Sequence, residues 1–228
     1  MKNRPKTTAI VAMSADGKIS DVNRSSQLFG SDTDLAHLER QVALSDGVIV
    51  GAGTLRSGGS AMRVRNPQLL EERERLGKPP QPIQMICSVS GEIDPKLLFF
   101  RQEIPRWLVT TESGAQYWQK QPGFDRVVVA QTPQKTVDLP AAFEQLASEG
   151  IESLAVLGGG SFIGALFLEG LIDELWLTVC PLIIGGVKAP SPVDGEGFSL
   201  EYAPRLELLE SKTIDGEVFL HYRVCKES

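Results

Sequence analysis

Histidine and cysteine are scarce in this 228-residue chain, with two of the first and three of the second. His37 and His221 stand far apart and form no cluster with cysteine, so no metal site is expected. Cys87, Cys180 and Cys225 share no CxxC spacing, and two of them sit in apolar, strand-like runs. They read as small buried thiols of a reducing compartment, which points to the cytoplasm. Long apolar runs are missing too. Each is broken by glycine, proline or a charge before the ~20 residues a membrane span needs. The basic start from Met1 to Lys6 leads into an apolar stretch that stops at Ala15, with no small-residue cleavage site after it. No signal peptide and no membrane partner are expected. A basic stripe is also absent and the net charge is −6, which argues against nucleic acid as a partner. There is no GxSxG, and neither histidine has an evident partner, so both read as structural.

What is present is a folded chain. Hydrophobic residues at 42% and charged residues at 23% exclude a disordered chain, a collagen-like fibre and a coiled coil. Apolar runs of strand length alternate with helical spacings. Strands are expected at Thr7–Met13, Val48–Val50, Ile83–Cys87, Trp107–Val109, Arg126–Ala130, Leu154–Leu157 and Leu175–Val179. Those from Val48 to Ala130 read as buried on both faces. Helices are expected from Asp34 to Leu44, capped by Ser31 or Thr33, from Pro140 to Glu149, and from Phe162 to Glu169. Two long β runs, Arg205–Ile214 and Glu217–Val224, are joined by Asp215-Gly216, a hairpin signal. The order implies one domain over residues 1–228, a three-layer α/β/α sandwich with a mostly parallel sheet and an antiparallel C-terminal hairpin. Arg56–Pro82 and Gly185–Pro204 read as polar surface loops.

Four stretches carry chemistry. The first, Met13-Ser14-Ala15-Asp16-Gly17-Lys18-Ile19, follows the first strand, where open α/β sheets bind ligands. Its Lys18 suits a phosphate or a polar ring, although a plain solvated turn has the same composition. In the second, Gly51-Ala52-Gly53-Thr54, the glycines permit close backbone approach, and a helix start there would offer free N–H groups to an anion. The third, Leu157-Gly158-Gly159-Gly160-Ser161-Phe162-Ile163, sits at a strand–helix junction. It suits a diphosphate at the helix start, or tight packing of helix on sheet. In the fourth, Arg63 and Arg65 are two apart in an extended segment and could clamp a phosphate.

Together these stretches resemble the reductase domain of bacterial riboflavin biosynthesis, the C-terminal half of the bifunctional pyrimidine deaminase/reductase, and its stand-alone archaeal and fungal relatives. The matching pieces are Met13–Ile19, Ser45–Thr54, Met62–Arg65, Leu157–Phe162, and Gly170–Leu175 followed by Pro181–Gly186. They occur in the family's order over nearly the whole chain. The resemblance implies a dihydrofolate-reductase-like fold, a homodimer, and NADPH as cofactor. The implied reaction is hydride transfer to C1′ of the ribose of 5-amino-6-(5-phosphoribosylamino)uracil, a small phosphorylated heterocycle. It implies that Gly53, Thr54 and Leu55, with Gly158, Gly159, Gly160, Ser161, Phe162 and Ile163, hold the cofactor phosphates. Ala12 and Ile19 would frame the nicotinamide, and Ser88 and Thr110 would meet the adenosine half. Lys18, Arg63 and Arg65 would face the substrate. Two departures stand out. Ser57-Gly58-Gly59-Ser60 replaces a usual pair of aspartates, and Leu157 replaces a usual glutamate. Asp16, with Lys18, is then the nearest catalytic candidate. A reductase of another pteridine-like or carbonyl substrate, or a non-catalytic nucleotide-binding relative, stays open as an alternative.

Overall fold

The computed structural model describes residues 3–25 and 28–225; Met1 and Lys2 of the basic start lie outside them. In chain order the elements are β1 (Lys6–Ser14), α1 (Asp32–Leu44), β2 (Gly47–Gly51), α2 (Ala52–Gly58), α3 (Pro67–Arg75) and β3 (Ile83–Ser88). After a 3-10 turn at Leu98–Arg101 come β4 (Arg106–Thr110), α4 (Glu112–Trp118), β5 (Arg126–Val129), α5 (Leu139–Ser148) and β6 (Ser153–Val156). The last are α6 (Gly160–Leu168), β7 (Glu174–Cys180), β8 (Leu206–Ile214) and β9 (Glu217–Val224). They group into two compact units. One comprises the chain up to Lys6 with Glu39–Ala155, the other Thr7–Leu38 with Val156 onward.

In the first unit β2, β3, β4 and β5 form a parallel ladder with Ile49 beside Met85, Met85 beside Trp107 and Trp107 beside Arg126. Parallel strands need crossovers on their faces, which is why these strands are apolar on both sides. Val48, Ile49, Met85, Ile86, Leu108 and Val109 are buried accordingly. The edge strand β5 departs from the expectation, since Val127 and Val129 are exposed. The core of this unit gathers Leu55, Ile86, Ile93, Phe99, Leu108 and Trp118. Asp46, just before β2, ties down the start of β6: its carboxylate accepts from Glu152 N, Ser153 N and Ser153 Oγ.

The stretch Arg56–Pro82 is not a continuous loop, because it contains α3. Asn66 caps that helix by accepting from Gln68 N, and Pro67 occupies its first turn. Its sequence looks like a solvated run because only Leu69 and Arg73 are buried. Arg73 is 1% exposed. Its guanidinium donates to Ala43 O and Ser45 O at the end of α1, and to Pro79 O. A charge buried this deeply needs such partners. Helix α4, also unforeseen, is capped by Thr111 accepting from Gly114 N.

In the second unit β1 runs parallel to β7, with Ala12 beside Thr178 and Ser14 beside Cys180. β9 is antiparallel to β7, and β8 to β9. Asp215 (φ 53°) and Gly216 (φ 83°) both take positive φ, the tight hairpin expected of that dipeptide. The helix α1 is capped by Ser31, whose hydroxyl accepts from Asp34 N, while Thr33 bonds Asp215 instead. Gly185–Pro204 carries no helix or strand. His221 stacks on Trp176 at 4.1 Å, and His37 meets Trp176 edge-on at 4.5 Å. The histidines thus belong to an aromatic cluster. Among the cysteines Cys180 is buried and Cys87 half-buried, but Cys225 is exposed, against the expectation of three buried thiols.

Candidate functional site

In the second unit, the chain leaving β1 turns at Gly17 (φ 80°) and is laced to the segment after β7. Ala15 N donates to Leu182 O and Ile19 N to Pro190 O. Asp16 closes the lacing. Its carboxylate accepts from Ser14 Oγ at 2.6 Å and from the backbone N–H groups of Ile184 (3.0 Å) and Gly185 (2.6 Å). The Ser14 hydroxyl above all, with the Ile184 and Gly185 amides, holds the Asp16 carboxyl down at about 2. An acid held ionised in this way has no proton to give near neutral pH. Asp16 anchors the facing loop. Lys18 is half-buried, and its N–H is taken by Ser14 Oγ. Ala12 and Ile19 are half-buried as well.

Gly158, at φ 116°, takes a conformation that glycine reaches readily, and Gly159 is the N-cap of α6 with no side chain satisfying the first turn. The third glycine does other work. A Cβ on Gly160 would strike Ser191 O and Asp194, and one on Gly164 would strike Asp194 O. These two glycines, one helical turn apart, let the 191–194 loop lie directly on α6, so packing explains part of the glycine run. Ile163 is a core residue whose N–H is spent on Gly159 O, while Ser161 is exposed and Phe162 half-buried. Beside Ser161 opens a cavity of about 500 Å³ lined by Val22, Arg24, Val187, Lys188, Ala189, Pro190 and Asp194. Arg24 and Lys188 were not singled out from the sequence. They lie far apart in the chain, and only folding brings them to the start of α6.

A second unforeseen group is Asp34, in the first turn of α1. Burial pushes its carboxyl above the usual range, opposed by a hydrogen bond with Thr178 and reinforced by the charge of Glu217. A side chain on Gly30 would occupy the place of this carboxylate. Glu217 is itself 2% exposed and is held by Ser31, whose N–H and hydroxyl both donate to it. Thr178 is the register partner of Ala12, so Asp34 sits at the level where β1 and β7 near their carboxyl ends.

In the first unit, Gly53 is exposed with open space around it and Thr54 is half-buried, both in the first turn of α2. Leu55 points into the core at 2% exposure and offers no side chain to a ligand. Ser88 and Thr110 are buried at the ends of their strands. Thr110 is fully buried and donates to Ser88 O, and Ser88 Oγ accepts from Gly91 N. Their hydroxyls stitch β3 to β4 and to the following turn. Arg65 is exposed. Arg63 is half-buried, and its Nε is buried with no hydrogen-bond partner among the described residues. An unpaired buried donor of this kind costs about 1–3 kcal/mol unless something completes it. Arg56, in the last turn of α2, is exposed and reaches Glu92 O.

The chain has clear relatives. A family model described as the RibD C-terminal domain matches residues 5–220. The 2,5-diamino-6-ribosylamino-4(3H)-pyrimidinone 5′-phosphate reductase of Archaeoglobus fulgidus is 32% identical over 195 residues, covering 86% of this chain and 89% of that protein. Among solved structures, a pyrimidine reductase-like protein of Corynebacterium diphtheriae superposes with a TM-score of 0.83 at 26% identity, covering 99% of this chain and 94% of the other. A dihydrofolate reductase of Enterococcus faecalis reaches a TM-score of 0.51 at 14% identity, covering 97% of each chain, a likeness of fold alone.

Proposed function

The chain belongs to the RibD C-terminal domain family, and from that premise we propose that it uses NADPH to reduce the ribose of a ribosylaminopyrimidine 5′-phosphate in riboflavin biosynthesis. The relative from Archaeoglobus fulgidus is named for the 2,5-diamino-pyrimidinone form, and the match covers most of both chains. That form is therefore the preferred substrate here, ahead of the uracil expected from the sequence.

The observation that carries the cofactor reading is the start of α6. Its first turn has no side-chain cap and opens beside a cavity bearing Arg24, Lys188 and Ser161. Free N–H groups, the positive end of a nine-residue helix and two cations suit a diphosphate. Asp194 also lines the cavity, but one of its oxygens is engaged by Ser191 N and Oγ, which moderates its repulsion of an anion. In the first unit, Gly53 and Thr54 remain open to cofactor, and Arg63 and Arg65 are assigned to the substrate phosphate.

When bound, the cofactor supplies a hydride to C1′ of the opened ribose imine. The ring opens by breaking C1′–O4′ with a proton passing from the exocyclic nitrogen to O4′, and one further proton then reaches that nitrogen. Asp34, rather than Asp16, suits the proton's source, because burial keeps its carboxyl protonated to a higher pH. Asp16 fixes the loop that frames the nicotinamide. Three unpaired cysteines fit a cytoplasmic setting. A homodimer would pair through β8, an outer strand of its unit with Leu206, Leu208, Leu209 and Ile214 exposed.

The test is turnover. Purified protein with NADPH and the diamino substrate is expected to consume reduced cofactor and to release a ribitylamino product. Faster consumption with the uracil form would reverse the substrate preference, and no consumption with either, by folded protein, would remove the reading.

A further inference from the structure

Residues Ala61 to Asn66 belong to no helix or strand, yet their backbone is held almost as a strand's would be. The holding groups are side chains. Gln102 makes a two-point clamp on Ala61, its Oε1 accepting from Ala61 N at 2.7 Å and its Nε2 donating to Ala61 O at 3.1 Å. Gln81 makes the same clamp on Val64, at 2.9 Å and 2.8 Å. Between them Gln84 Nε2 donates to Met62 O at 3.0 Å. At the far end one oxygen of Glu39 accepts from Arg65 N and Asn66 N.

These are costly fixtures. Gln102 is 8% exposed and Gln84, the second residue of β3, only 3%. A buried amide with an apolar alternative of similar volume is retained at the expense of desolvation, and it returns that expense only if both its ends are paired. Here the pairing is made with one short segment, and that segment carries Arg63 and Arg65. Val64 between them is 3% exposed and seats the segment in the core. A loop anchored only at its ends would let two long cationic side chains wander. Two bidentate amide clamps fix the backbone beneath them on either side of Arg63. The guanidinium held this way has a buried Nε with no hydrogen-bond partner among the described residues.

We propose that Gln102 and Gln81 are positioning residues that set this protein's selectivity for a phosphorylated substrate, by holding the Ala61–Asn66 backbone so that Arg63 meets the phosphate in one geometry. Gln84 and Glu39 support the same segment. The inference rests on the reading that Arg63 takes the substrate's 5′-phosphate, and goes beyond it in placing the selectivity one layer back from the contact. Charge-assisted hydrogen bonds depend steeply on distance and angle, so a loosened Arg63 retains its charge but loses its directed bonds.

The readout is a ratio, kcat/KM for the 5′-phosphorylated substrate over kcat/KM for its dephosphorylated counterpart, with the KM for NADPH measured alongside. Arg63→Ala is expected to lower the ratio by about 10- to 100-fold, the worth of hydrogen bonds to a charged group. Gln102→Met and Gln81→Met keep volume and remove the clamps. Each is expected to lower the same ratio by raising KM for the phosphorylated substrate, with kcat and the KM for NADPH little changed. Gln102→Glu, which keeps the acceptor for Ala61 N, is expected to recover part of the loss. A collapse of the ratio in Arg63→Ala together with wild-type ratios in both folded methionine variants would overturn the proposal while leaving the Arg63 reading intact. A wild-type ratio in Arg63→Ala would instead remove the reading beneath it. If Gln102→Met does not fold, Gln81→Met decides, because that residue is half-buried.

Discussion

Two aspartates of the second unit differ in what surrounds them, and the difference fixes their behaviour with pH. Asp16 is exposed but hydrogen-bonded by a hydroxyl and two backbone amides, which hold its carboxyl at about 2 against 3.8 for a free one. Its contribution to stability is therefore complete above about pH 4 and lost as pH falls through about 2. Asp34 runs the other way. Its carboxyl is raised mainly by burial, so it favours the folded state most at acid pH and less as pH rises through its folded value. Asp34→Asn is accordingly expected to melt no lower than the parent at neutral pH, while kcat falls by about 10²- to 10⁴-fold and the loss of activity with rising pH that marks a proton donor disappears from its pH profile. Asp16→Asn is expected to lower activity by the same factor at every pH between 5.5 and 8.5 (about that span, set by ordinary carboxylate and imidazole titration). A fall of activity with rising pH that vanished in Asp16→Asn and survived in Asp34→Asn would reverse the two roles. The thiols give a second check. Burial pushes Cys87 up to about 12, and burial with the nearby Glu217 carboxylate does the same to Cys180, while Cys225 is exposed. A thiol reagent at mild alkaline pH is expected to modify Cys225 alone in the native protein, and all three cysteines in denaturant. Rapid native labelling of Cys180 would contradict the burial of β7.

At the scale of elements, α6 and the loop lying on it are the most constrained part of the second unit. Gly164→Ala would drive a methyl into Asp194 O and is expected to cost about 1–3 kcal/mol of stability by overpacking. Melting temperature checks it, and a neutral result would mean that the 191–194 loop does not rest on the helix. Arg24→Ala and Lys188→Ala leave that packing alone, and each is expected to weaken NADPH binding and flatten its dependence on salt. Unchanged titration curves for both would detach the cavity from the cofactor. The strands were legible because their apolar runs are bounded by glycine, proline and charge, and the hairpin because Asp215-Gly216 accepts two positive φ values. Helix α3 was hidden because seven of its nine residues lie outside the core, and Arg73, one of its two buried residues, looks on paper like a surface charge. Part of the proposed site is marked in the sequence by glycine and arginine motifs. Arg24, Lys188 and the glutamine clamps were not, since each acts through contacts distant in the chain. Ser88, Thr110 and Leu55 are buried, since a residue at a strand's end or a helix's first turn can face the core as readily as the cleft.

For the molecule as a whole, the outer strand β8 has nine residues with both faces largely exposed, which is unusual for a protein that stays alone in solution. Light scattering is expected to return twice the mass of the 24.8 kDa chain, and Leu208→Lys to return the single mass. A monomer in the parent would remove the dimer. The central claim is hydride delivery to a sugar carbon. Its most direct measurement is the product formed with NADPH deuterated at the transferable position of the nicotinamide. The ribitylamino product is predicted to carry deuterium at C1′. Cofactor oxidised with no deuterium in the product, or deuterium at any other carbon, would contradict the account.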